Sequence, residues 1–241
     1  MSKRKSSTAT VALKIRRLLK EGGSPEHAKG VQWFFKEEIK SYGWYTAALR
    51  REAVRQRQSI LQEHNLDFLV EVADRLFTGE VLEEHTFAVF LLEKLPEKFG
   101  DAGFKLLESW LPRISSWADH DALVYYLIGQ MIVIKPSRIN SVFRWAKSKD
   151  RWHRRAACVA LIPSTRCKMF FPEIVRLSNF LLHDPDDMVQ KGLGWLLRET
   201  AKADAKKTVP YLMRICTDAP RLVLRTACET LPITTRNKVL S

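Results

Sequence analysis

The sequence predicts an all-α protein, an α-solenoid of short helical repeats. Two observations carry that prediction. Amphipathic stretches of helical period follow one another from residue 10 to residue 231 with no convincing strand between them. Tight breakers rather than long loops separate the stretches, and similar helices recur at a nearly fixed spacing.

Taken in order, helices are expected over 10–21 and 25–41, parted by Gly22-Gly23-Ser24-Pro25. Ser41-Tyr42-Gly43 precedes a helix over 46–62. A helix over 65–77 stops at Thr78-Gly79, and helices over 82–99 and 102–114 follow. The helix over 117–134 opens on Ser116 with Asp119 three residues on, the pattern of a capping box, and closes at Lys135-Pro136. Helices over 137–148 and 151–162 come next, and residues 162–167 interrupt the pattern. The last helices cover 170–183, closed by His183-Asp184-Pro185, then 187–203, 206–217 and 220–231. The basic, polar start MSKRKSSTAT has no apolar segment of a secretory signal, so residues 1–9 are expected to be a disordered arm. No linker rich in Pro, Gly or Ser divides residues 10–241, which predicts a single domain.

Repeat spacing points to HEAT-like units. RWHRRAACVAL and DMVQKGLGWLLRETA are alike, and a third such helix begins near Ser116. Trp117 precedes Arg155 by 38 residues and Arg155 precedes Trp195 by 40, close to a HEAT-like period of about 40–47. Residues one period apart occupy equivalent positions in a solenoid. Trp117, Arg155 and Trp195 are therefore expected on one concave face.

Charge says what that face meets. Residues 1–120 carry 19 Lys/Arg against 17 Asp/Glu, whereas residues 121–241 carry 21 against 10. The excess in the second half is the footprint of a polyanion partner. A membrane would need a basic amphipathic helix standing apart from the core pattern, and none is found. The longest apolar runs, 122–128 and 131–134, are too short to span a bilayer. Four cysteines without zinc-ligand spacing fit a reducing cytoplasm, with Cys158 and Cys228 read as buried thiols. Six histidines form no HxxxH pair, which speaks against a metal site. The absence of a P-loop, a GxGxxG fingerprint or a nucleophile elbow speaks against nucleotide, dehydrogenase and esterase chemistry. No cofactor is expected, and a monomer is. The acidic run Glu80–Glu84 reads as solvated surface.

Three helices hold the candidate chemistry. On the helix from Asp187, residues Met188, Val189, Leu193, Leu196, Leu197 and Ala201 define the core face. Trp195 lies instead in the stripe Lys191–Trp195–Arg198–Lys202, an aromatic set among cations; the alternative is a ring folded onto a neighbouring helix. On the helix from Arg151, Trp152, Ala156 and Val159 face the core, and Arg151, Arg154 and Arg155 share the opposite side, which calls for phosphate or carboxylate nearby. On the helix from Trp117, Trp117 and Asp121 stack at i and i+4. An acidic residue in a first helical turn can also serve the helix dipole alone.

These motifs resemble the AlkD family, bacterial HEAT-like-repeat DNA glycosylases that remove alkylated bases. VQKGLGWLLRE at 189–199, WHRRAA at 152–157 and Trp117-x-x-x-Asp121 are similar to that family's helices and occur in its order, and 43–50 resembles a family helix start. The resemblance covers about residues 14–231. It implies Asp121 as catalytic carboxylate, Trp117 and Trp195 as aromatic walls, and Arg155 as a basic partner on the DNA backbone. Arg198 and Lys191 match backbone-contacting positions, and Arg154, Arg151 and Arg50 join the expected DNA-binding set. Ser116 stands where some members carry a second tryptophan, which bears on substrate range.

The implied substrate is double-stranded DNA bearing positively charged purines such as 3-methyladenine and 7-methylguanine. The implied reaction is hydrolysis of the N-glycosidic bond without a base-flipping pocket, so bulky N3 or N7 adducts are accepted too. Such a bond breaks through an oxocarbenium-like state that an ionised Asp121 stabilises, with Arg155 holding the carboxyl acidic. Two other readings stand beside this one: a HEAT-like module that binds damaged or branched DNA without catalysis, and a protein-interaction scaffold, which predicts an apolar or acidic groove instead.

Overall fold

The computed structural model describes residues 6–241, which group into two compact units divided between Leu123 and Val124. Among the described residues every regular element is helical. Serial short helices pack on one another within each unit, in the helical-repeat class the sequence predicts. No described helix is long and apolar enough to cross a membrane.

The first unit holds α1 (Thr8–Glu21), α2 (Pro25–Val31), α3 (Thr46–Glu63), α4 (Leu66–Phe77), α5 (Leu82–Leu92), α6 (Gly100–Glu108) and α7 (Trp117–Leu123). α1, capped by Ser7, begins at Thr8, two residues before the expected start; of the arm expected over 1–9, residues 1–5 lie outside the described residues. α4 packs between α1 and α5, while α5 also takes α3 and α7. That central place explains why α5 is apolar all round from Phe87 onward: Phe87, Val89, Phe90, Leu91 and Leu92 are all buried. Each such side chain contributes about 1.5–3 kcal/mol by leaving water.

Two expected helices fall short of their predicted length by seven residues or more. The one predicted over 25–41 ends at Val31, passes through a 3-10 turn at Gln32–Phe34 and continues without helix to Tyr45. The Gln32 side chain explains this: its amide donates to the Glu37 carbonyl at 2.8 Å and accepts from Ile39 N–H at 2.9 Å. These bonds give the backbone an alternative to the helix ladder. The helix predicted over 82–99 ends at Leu92, with Lys94 in the left-handed region at φ 68° and a 3-10 turn at Pro96–Lys98.

The second unit opens on a π-helical turn, Val124–Ile128. It continues with α8 (Gly129–Ile134), α9 (Ile139–Trp145), α10 (Arg151–Val159), α11 (Ile162–Thr165), α12 (Phe171–Leu181), α13 (Asp187–Ala203), α14 (Ala205–Ile215), α15 (Arg221–Ala227) and α16 (Ile233–Leu240). The final helix has little apolar periodicity and was not expected. α13 is the hub, in contact with α10, α11, α12, α14 and α15. Gly194 makes the α13–α15 approach possible: a Cβ there would stand 2.6 Å from Thr226 Cβ and 3.0 Å from the Val223 carbonyl oxygen. Cys158 and Cys228 are buried free thiols, as expected. Burial pushes the Cys158 thiol up to about 12, despite the opposing charge of Arg155.

Candidate active site

In the first unit the site is built from the start of α7. Ser116 and Asp119 form the expected capping box, with Asp119 Oδ1 accepting from Ser116 N–H at 2.8 Å and from its hydroxyl at 2.6 Å. Oδ2 accepts from Ser115 N–H at 3.0 Å and faces His85 Nδ1 at 2.9 Å. Burial alone would raise the Asp119 pKa, but the hydrogen bonds from His85, Ser115 and Ser116 outweigh it and hold the carboxyl below its ordinary value. The other nitrogen of His85 lies 2.9 Å from the Gly79 carbonyl, and its ring stacks on Phe77. Asp119 thus anchors α7 to the core.

Asp121, two residues on, points elsewhere. Its side chain retains some exposure and its Oδ1 lies 2.8 Å from Nδ1 of the buried His120. Trp117, on the same helix, is half-buried. Its ring stacks on Phe35 at 5.1 Å and its indole N–H donates to the Phe34 carbonyl at 3.3 Å. The turn that supplies those contacts leaves Trp33 90% and Phe34 74% exposed. Sequence reasoning missed both this aromatic turn and His120. His120 was legible as the neighbour of Asp121, whereas the Trp117–Phe35 contact spans 82 positions and leaves no local signal.

A buried carboxylate fixes the segment that bears the turn. Glu83 accepts from Ser41 Oγ at 2.7 Å and from the backbone N–H groups of Tyr42 at 2.9 Å, Gly43 at 2.9 Å and Trp44 at 3.1 Å. Glu84 accepts from Arg16 and from the Tyr42 hydroxyl, both at 2.8 Å. Glu83 and Glu84 are each only 4% exposed, which corrects the reading of these two as solvated surface, while Glu80 at the start of the run is exposed. Apolar periodicity cannot reveal a carboxylate buried against backbone donors. Arg50, on α3, pairs with Glu93 at 3.2 Å and lies over the Phe90 ring.

In the second unit α10 and α13 bring their motifs together. Arg155 is only 5% exposed, not on a solvent face opposite the core, and its Nη1 donates to the Met188 carbonyl on α13. A Cβ at Gly192 would stand 3.2 Å from Arg155 Cγ, so the glycine makes room for that side chain. Arg154 is a bidentate partner of Asp184, at 2.6 and 3.2 Å, and Arg151 lies 3.7 Å from Asp186. At these two arginines the expected anion is a carboxylate of the same unit.

Trp195 is half-buried and its ring stacks on Tyr125 of the π turn at 5.8 Å. Within its stripe, Lys191 pairs with Asp187 at 3.4 Å, Arg198 with Glu199 at 3.2 Å and with Glu229, and Lys202 with Glu199 at 2.9 Å. The Lys191–Asp187 pair, exposed on both sides, is worth at most about 1 kcal/mol. Tyr125 was the further residue missed. It falls inside an expected α-helix, in the segment that the structure winds as a π turn.

A family model described as DNA alkylation repair enzyme matches residues 15–231. The chain belongs to that family. Among solved structures it is similar to a protein from Enterococcus faecalis described as a predicted DNA alkylation repair enzyme. The identity is 15%, with 88% of this chain and 97% of that one covered and a TM-score of 0.77. It is also similar to the smu.31 protein of Streptococcus mutans UA159, at 18% identity with 82% and 96% covered and a TM-score of 0.53. No curated protein matches the sequence significantly. As a DNA alkylation repair family member it acts on DNA. Among its described residues no group of three or more His, Cys, Asp or Glu is placed to hold a metal ion.

Proposed function

We propose that this protein is an alkylpurine DNA glycosylase, hydrolysing the N-glycosidic bond of cationic purines in duplex DNA. The observation that supports this most is on α7. Asp121 has its Oδ1 beside His120 Nδ1 and keeps some access to solvent, one turn from the half-buried Trp117. Asp119, deeper on the same helix, already performs the structural work.

Alkylation at N3 of adenine or N7 of guanine puts a positive charge on the base. As the C1′–N bond breaks, its electron pair returns to the base, which departs neutral, and positive charge builds on the sugar. The Asp121 carboxylate stabilises that charge. Water then adds at C1′ and releases a proton to solvent. Trp117 meets the cationic nucleotide by cation–π contact, worth about 0.5–2 kcal/mol, and a neutral base gains less; Trp195 is proposed for a contact of the same kind. Lys191 and Arg198, at the solvent side of α13, serve the DNA backbone, while Arg155 joins α10 to the Met188 carbonyl of α13 and Arg154 is held by Asp184.

Incubation with a duplex carrying one 7-methylguanine, beside Asp121→Asn, tests this. Wild-type protein should release free base, and the variant should bind the duplex equally while releasing base about 10²–10³-fold more slowly. Binding by both without release would replace the enzyme reading with a DNA-binding role.

A further inference from the structure

The cations that the sequence singled out in the second unit each have a carboxylate nearby or, for Arg155, a backbone carbonyl. Arg166 differs. It is exposed just beyond α11, and its Nη2 donates to the Tyr125 hydroxyl at 2.9 Å. A phenol is neutral, so that bond orients the guanidinium without cancelling its charge. Tyr125 in turn stacks on Trp195. One ring therefore links an exposed arginine to the aromatic of the GLGW motif.

The backbone under Arg166 is held firmly. Met169 N–H donates to the Ser164 carbonyl at 3.1 Å and Lys168 N–H to the Thr165 carbonyl at 2.9 Å. These nested bonds are those of a Schellman cap. Its left-handed position, where glycine is usual, is occupied by Lys168 at φ 54°, and Phe170 follows at φ 62°. The buried hydroxyls of Ser164 and Thr165 bond back to the Leu161 and Ile162 carbonyls at 2.6 and 2.8 Å. Strained backbone of this kind persists where its surroundings over-determine it. A planar, fixed guanidinium on a rigid turn suits one oxygen-rich anion, and in a DNA alkylation repair enzyme that anion is backbone phosphate.

We infer that the turn at 164–169 is a DNA-backbone clamp, in which Arg166 contacts a phosphate and its bond to Tyr125 holds that contact beside Trp195. This rests on the reading of Trp195 as an aromatic that faces the lesion.

The test is binding of an undamaged duplex, followed by fluorescence anisotropy over a range of salt concentrations. Arg166→Ala should weaken binding and lower the slope of log K against log salt by about 0.9, the loss of one phosphate contact. Arg166→Lys should keep the slope. Tyr125→Phe should keep it too but bind several-fold more weakly, because the ring remains and the tether is gone. Arg176→Ala, which removes a guanidinium lying 3.7 Å from the Phe143 ring centroid, should keep the wild-type slope. An unchanged slope for Arg166→Ala overturns the clamp, and so does an equal drop for Arg176→Ala, which would make the slope a measure of net charge alone. Unchanged affinity in Tyr125→Phe overturns the tether. None of these readouts needs base release, so a protein that binds with the expected slopes yet frees no base would sink only the glycosylase reading.

Discussion

Replacing Glu83 should loosen the segment that carries the aromatic turn beside α7. Its carboxylate accepts four hydrogen bonds, three of them from the consecutive backbone N–H groups of Tyr42, Gly43 and Trp44. Hydrogen bonds to a charged acceptor contribute about 1.5–3 kcal/mol each, and a buried donor left alone costs about 1–3 kcal/mol. The effects are not additive, since the segment relaxes and water reaches some donors. Glu83→Ala is therefore expected to destabilise by about 3–5 kcal/mol, the range for breaking a buried charge network. Glu83→Gln is a finer probe. A carbonyl oxygen in place of Oε1 keeps the bonds from Ser41, Gly43 and Trp44, while the amide meets Tyr42 N–H donor to donor, so a loss of about 1–2 kcal/mol follows. Urea unfolding gives both numbers from the shift in midpoint at constant slope. Amide exchange at residues 42–44 should speed up in the same order. A loss below about 1 kcal/mol for the alanine variant, with exchange unchanged, would refute the reasoning.

Two further predictions concern stability. Asp119 is held below its ordinary pKa, so its contribution is fully present above the unfolded-state value near 3.8 and is lost as pH falls through the lower folded value. Wild-type protein should lose stability over that acidic window, and Asp119→Asn should be less stable at neutral pH with a flatter acid limb, measured by thermal unfolding against pH. Gly194→Ala should cost about 1–3 kcal/mol despite alanine's better helix propensity, because the added Cβ meets Thr226 and the Val223 carbonyl. An unfolding midpoint at or above wild type would show that α15 yields without strain.

The fold was legible because helical period and breakers are local signals, and the capping box at Ser116 located the start of α7 to the residue. The helix expected over 25–41 was lost to Gln32, whose side chain competes with the ladder from within the sequence it interrupts. Motif order brought out Asp121, Trp117, Arg155 and Trp195. It could not show that Arg155 is buried, since a helical wheel assigns faces from residue type and an arginine satisfied by a carbonyl violates that assumption. Nor could it show Tyr125 against Trp195. A π turn shifts side chains off the α-helical wheel, and nothing in VYYLI announces one.

The two glycines of KGLGW have one more implication. Separated by two positions, they lie on nearly opposite sides of α13, Gly192 toward Arg155 on α10 and Gly194 toward Thr226 on α15. The helix is pinched from both flanks, which leaves the Trp195 stripe as the side with latitude to vary. A laboratory search for altered lesion preference should therefore draw few survivors from positions 192 and 194 and many from the half-exposed residues between Lys191 and Lys202.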